Sequence, residues 1–165
     1  MNDSFLPQDY TVPATPGDYT KLPIGTTKLR ILSSPVMGYE DWAIGENGKN
    51  KPVRTKELQK PLNQVKDQQG KFVIPKHFWA MVVWNYDAQK IQIWQPTQKA
   101  ILNDISMIVK DPDFADIYSY DIKVIKEGTG KDTKYKVMAG KETELTPNIT
   151  QSYLDAMVDL DKLFD

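Results

Sequence analysis

The run from Lys76 to Lys110, KHFWAMVVWNYDAQKIQIWQPTQKAILNDISMIVK, constrains this chain more than any other. Its first part alternates aromatic and β-branched side chains around a short break at Ala88-Gln89. Its last part places Ile101, Leu102, Ile105, Ile108 and Val109 at helical spacing. An aromatic β-hairpin leading straight into an amphipathic helix is expected, with Thr97 as N-cap and Asp111-Pro112 as the stop. Trp79, Trp84 and Trp94, three of the chain's four tryptophans, lie in that hairpin. Rings on paired strands are either buried or offered to a flat ligand.

The register decides which. If Asp87 faces Lys90, Tyr86 sits opposite Ile91, Trp84 opposite Ile93 and Val83 opposite Trp94. Phe78, Ala80, Val82, Trp84, Tyr86, Ile91 and Ile93 then share one face, which is expected to be core. Trp79, Met81, Val83, Asn85, Gln92 and Trp94 share the other, where polar and aromatic groups interleave.

Elsewhere the alternation predicts a first strand in TKLRILS from Thr27, with Leu29 and Ile31 on one side and Lys28 and Arg30 on the other. YEDWAI (39–44), the turn signal Asn47-Gly48 and KPVRTK read as an excursion hairpin carrying Trp42, Arg54 and Lys56. Residues 57–75 give no assignable pattern. Tyr118 to Lys126 and Thr133 to Ala139 form a second basic hairpin around EGTGKD, and a short helix is expected near Thr146 or Thr150, with Tyr153, Leu154, Met157 and Leu160 on one side. Strand, long excursion, strand, strand, helix, strand, strand is the order of a five-stranded OB-fold barrel, with its helix between the third and fourth strands. The expected organisation is an extended N-terminal arm (1–25), a mainly β OB-fold domain (26–140) and an acidic C-terminal tail with a short helix (141–165).

Composition excludes several classes. Cysteine is absent, so disulfide frameworks, zinc ribbons and thiol nucleophiles are ruled out. The one histidine, His77, has no nucleophile paired with it in any motif. Gly128-Thr129-Gly130-Lys131 has the wrong spacing for a phosphate loop, and Asp111, Asp113 and Asp116 read as a polar loop rather than a metal site. No enzyme, cofactor or metal is expected. The N-terminus has no apolar run suited to a signal peptide or membrane span, so a cytoplasmic protein is expected.

The formal net charge of −1 hides an uneven distribution. Residues 1–20 carry −3 and 141–165 carry −4, while 21–140 carry +6. A basic body with acidic ends suits a protein that binds a polyanion and regulates that binding. Single-strand binding requires cations for phosphates and exposed rings for bases. Trp42, Trp79 and Trp94 are the stacking candidates. Lys28, Arg30, Arg54, Lys56, Gln92, Lys123, Lys126, Lys131, Lys134 and Lys136 are the phosphate and polar candidates, because they fall on outer strand faces or beside loops that border an OB groove.

LRILSSPVMGYEDW, KPVR, HFWAMVVWNY with IQIWQPTQKAI, and YDIKVIKEGTGKDTKYKV, in this order, resemble the small single-stranded DNA-binding proteins of tailed bacteriophages over roughly residues 27–139. The resemblance implies an OB-fold that coats transient single strands in replication, recombination and repair. The zinc-binding insertion of some phage relatives is not carried over, for want of cysteine. The terminal DLDKLFD looks like the acidic tail of such proteins. Asp159, Asp161, Leu163, Phe164 and Asp165 would then occupy the basic groove or recruit replication and recombination proteins. The alternative is an OB-fold interaction module of a replisome or virion that never touches DNA.

Overall fold

The computed structural model describes Phe5 and residues 18–58 and 65–164. Its elements are β1 (Gly25–Ile31), β2 (Val36–Ile44), β3 (Asn50–Thr55), β4 (Lys76–Asn85), β5 (Lys90–Trp94), α1 (Lys99–Lys110), β6 (Tyr120–Glu127), β7 (Lys134–Glu142) and α2 (Pro147–Ala156). The protein is mainly β, an antiparallel sheet of seven strands with two α-helices among the described residues. None of those helices is long and apolar enough to cross a membrane.

Five of the strands run in the order β5-β4-β1-β6-β7. The excursion hairpin joins the sheet instead of standing apart, because β4 is long enough to change partners: its C-terminal part pairs with β1 and its N-terminal part with β2. At the switch, Ser33 Oγ accepts from Val82 N at 2.9 Å. No β5–β7 ladder closes the sheet among the described residues. Instead α1 bridges that gap, with Ile101 and Ile105 in the core beside Trp94 and Val137, and Asp104 Oδ2 accepts from the edge amide of Val137 at 2.9 Å.

The β4–β5 turn holds four residues, so Trp84 faces Ile91 and Met81 faces Trp94, two residues away from the expected register. A two-residue shift preserves the faces. The cause is Asn85, whose Oδ1 accepts from the amides of Asp87 (3.0 Å) and Ala88 (3.2 Å), while Gln89 ends the turn at φ +56°. The helix starts one residue later than expected, at Lys99, with Gln98 rather than Thr97 at the N-cap.

Both faces of the hairpin are covered. Met81, Val83 and Trp94 pack inward against Leu29, Ile31 and Ile122, so the face expected to be open holds the main core. Val82, Trp84 and Ile91 lie on the outer side beneath Ile149 and Tyr153, and Phe78, Ala80 and Ile93 lie beneath Leu163 and Phe164. Residues 145–164 are therefore a docked cover. α2 turns Ile149 toward the sheet and leaves Leu154 and Met157 exposed, which differs from the expected helix face. Of the expected N-terminal arm, residues 1–4 and 6–17 lie outside the described residues, and residues 18–20 are docked: Thr20 N donates to Ile93 O (2.8 Å) and Ile93 N to Asp18 O (3.0 Å), covering the β5 edge.

Candidate nucleic-acid interface

Beyond the cover, the outer face of β1, β6 and β7 is open. Alternation puts Leu29, Ile122, Val124 and Val137 into the core and leaves Lys28, Lys123, Lys134 and Lys136 outside. Register places Lys28 directly opposite Lys123, and Ile125 opposite Lys136. Like charges facing each other across a sheet are unfavourable without a counter-ion. Lys28 is partly relieved, its Nζ 3.5 Å from Asp121 Oδ2 and 4.5 Å above the Tyr86 ring. Among the described residues no carboxylate lies in ion-pair contact with Lys123, Lys134 or Lys136, although Glu127 stands opposite Lys134 in the β6–β7 ladder.

Apolar groups interleave with these cations. Met138 and Ile125 share the face, and a groove of about 530 Å³ between α1 and β7 is lined by Lys134, Tyr135 and Lys136 on one side and Met107 and Ile108 on the other, with Asp104 and Glu127 offsetting the charge of its two lysines. Lys126 Nζ lies 6.0 Å from the half-buried Tyr135 ring. Lys131 is exposed on the tight turn before β7. Alternation along β7 counted Tyr135 as an inward residue and gave no sign of this groove. Gly128 (φ +79°) has the Asp132 backbone where a Cβ would stand, which makes the segment a hairpin turn.

Other expected site residues are placed elsewhere. Arg30 is 2% exposed, too buried to meet a phosphate. Its Nε donates to Tyr118 O (3.0 Å), Nη1 to Asp121 Oδ1 (3.2 Å) and Thr143 Oγ1 (3.1 Å), and Nη2 to Thr143 O (2.7 Å). Strand alternation put it outward, but the chain leaving β7 crosses above it. Trp94, 2% exposed, is core and offers no stacking surface. Gln92 is buried in a polar cluster with Asn85. Trp42, opposite Pro52, and Trp79, opposite Met37, are half-buried at the excursion hairpin, where the Tyr39 and His77 rings lie 5.2 Å apart.

Arg54 Nε lies 3.0 Å from Glu40 Oε2, an ion pair without hydrogen-bond alignment, and its guanidinium stands 5.5 Å from the Tyr19 ring. Lys56 Nζ stands 5.4 Å above Phe164. Phe164 in turn stacks on Phe78 (6.0 Å) and fills the space left by Gly38, so the aromatic tip is seated, not presented. Leu163 is buried, Asp159 and Asp161 are exposed, and Asp165 lies outside the described residues.

Asp121 links the two halves of the surface, taking Arg30, Lys28 and the Tyr86 hydroxyl (2.7 Å). Burial first, and then the bond to Asp121, push the Tyr86 hydroxyl up to about 12. Tyr19 and Tyr120 are also raised, each chiefly by burial. Asp111 and Asp116 accept from the amides of Asp113 and Tyr118 in tight turns, and among the described residues no three His, Cys, Asp or Glu gather as a metal site. Lysines interleaved with Met138 and Ile125 can attract a polyanion, and the Tyr135 ring lies on the core side of β7; among the described residues no acid, base and nucleophile are brought together. No family model matches this chain, and no curated protein or solved structure is significantly similar to it.

Proposed function

We propose that this chain is a sequence-tolerant single-stranded DNA-binding protein of the tailed-phage type, built on an OB-like barrel. It would coat single strands during phage DNA replication, recombination and repair. The observation that carries the reading is the uncovered lysine face of β1, β6 and β7, where Lys28 and Lys123 are held opposite each other. A sheet keeps such a pair at the expense of stability, and a phosphate bound between them removes the repulsion. The strand order β5-β4-β1-β6-β7, with α1 inserted before β6, supports the OB-like assignment.

In this reading the strand's backbone follows Lys28, Lys123, Lys136 and Lys134, and its bases meet Ile125 and Met138. Trp42 and Trp79 extend the contact at the excursion hairpin. The outer face of the aromatic hairpin takes part only if residues 145–164 move away, and that cover, with Asp159 and Asp161 on its surface, is where replication or recombination partners would dock.

Labelled oligo-dT titrated at low and high salt, beside duplex DNA of equal length, tests the reading by fluorescence anisotropy. Tight single-strand binding that weakens steeply with salt is expected. Absence of binding at low salt, both in the full chain and in a Leu163→Ala/Phe164→Ala variant with a loosened cover, would refute it. Salt-insensitive capture of a protein partner in the same conditions would favour the interaction-module alternative.

A further inference from the structure

A second cleft, of about 620 Å³, opens at the end of the OB-like sheet between residues 18–23 and the β4–β5 turn. Its floor is polar although it lies on the core side of the sheet: Thr27, Asn85 and Gln92 are all buried there. Thr27 is 1% exposed and its Oγ1 has no hydrogen-bond partner. A valine of the same shape would fill the position without an unmet polar atom, so the hydroxyl lowers the stability of the free protein.

The neighbouring amides are oriented by backbone groups. Because Asn85 Oδ1 is committed to the amides of Asp87 and Ala88, its Nδ2 must point at Gln92, where it donates to Oε1 at 2.9 Å. Thr20 Oγ1 donates to the same oxygen at 3.0 Å. Gln92 Nε2 is thereby turned the other way, and no described residue accepts from it. A fixed donor and an unpaired hydroxyl thus line one cleft. Two lysines and two aspartates stand at its rim, with Lys90 and Asp18 paired at 3.3 Å, so the cleft has no net charge to hold a phosphate.

We infer that this cleft is a subsite for one unstacked nucleobase, read on its hydrogen-bonding edge by Gln92 Nε2 and Thr27 Oγ1. The inference rests on the single-strand reading above. Every base has an acceptor on that edge for the amide, and a hydroxyl serves as donor or acceptor for the adjacent atom, so the subsite accepts any base. Thr27 precedes Lys28, whose side chain lies on the opposite, phosphate-facing side of β1. One nucleotide can therefore leave its phosphate on the lysine face and turn its base into the cleft.

The test is a cycle between protein and strand. Wild type, Thr27→Val and Thr27→Ser are titrated with labelled oligo-dT and with an abasic strand of equal length, and each protein's thermal midpoint is recorded. Thr27→Val is expected to bind oligo-dT about fivefold more weakly, the size of one hydrogen bond, while abasic binding and the Thr27→Ser protein stay at wild-type level. If Thr27→Val gains thermal stability and binds both strands as wild type does, the hydroxyl is a packing defect and the subsite is refuted while the single-strand reading stands. If neither wild type nor the Leu163→Ala/Phe164→Ala variant binds either strand, both fall together.

Discussion

Replacing Arg30 by methionine separates a phosphate contact from a structural tie. Methionine keeps the length and apolar stem but removes donors to Tyr118 O, Asp121 Oδ1, Thr143 Oγ1 and Thr143 O, at 2.7 to 3.2 Å. Removing one partner of a buried ion pair costs about 3 to 5 kcal/mol, because the remaining groups stay desolvated and unpaired. Asp121 retains Lys28 at 3.5 Å and the Tyr86 hydroxyl at 2.7 Å, which places the loss near the lower end, about 3 kcal/mol. With a urea slope of about 2 kcal/mol per molar, the unfolding midpoint falls by roughly 1.5 M. Cleavage by a dilute protease should speed up near Thr143, where the chain leaves β7 for α2. Single-strand affinity under native conditions, and its salt slope, should not change. An unchanged urea midpoint combined with weaker DNA binding would refute the structural account and make Arg30 a phosphate ligand.

Three further outcomes are expected. Replacing Lys123, Lys134 and Lys136 together by glutamine should lower the salt slope of single-strand binding by about 2, at roughly 0.7 per phosphate contact, without moving the thermal midpoint downward; an unaltered slope places the interface elsewhere. The folded Tyr86 hydroxyl titrates near 12 against 10.0 when unfolded, so its contribution to stability is complete below pH 10 and is lost as pH rises through 12. Urea midpoints across that window should fall more steeply for wild type than for Tyr86→Phe, a comparison that cancels the raised Tyr19 and Tyr120. Gly38→Ala sets a methyl 2.6 Å from Thr55 O and 2.7 Å from Phe164 Cε1, so about 1 to 3 kcal/mol of thermal stability should be lost and the C-terminal residues released sooner in limited proteolysis. Wild-type resistance would mean Phe164 is not held there.

Much of the β-structure was legible because strand periodicity is local. The parity of Phe78, Ala80, Val82 and Trp84 against Trp79, Met81 and Val83 survived a turn two residues longer than expected, since a shift of two leaves every side chain on its own face. The excursion hairpin was also legible, through Asn47-Gly48, although its union with β4 was not: that pairing joins segments some forty residues apart, as in Val36 opposite Ala80.

Of the candidate site, the lysines of β6 and β7 could be read from alternation, because their neighbours Ile122, Val124 and Val137 are unambiguous core residues. Trp94 and Arg30 could not. A strand apolar on both sides does not say which side faces the main core, and an arginine on an outer face is open only if no other segment crosses it. Thr143 and Leu145 lie more than a hundred residues beyond Arg30, and Leu163 some eighty beyond Phe78. Periodicity and turn chemistry thus set the strands, their faces and the basic stripe, because these depend on neighbours in the chain. Burial of Trp94 and Arg30, the seating of Phe164 and the polar floor under Thr27 belong to the tertiary structure, because covering a surface is a relation between segments that the chain brings together only on folding.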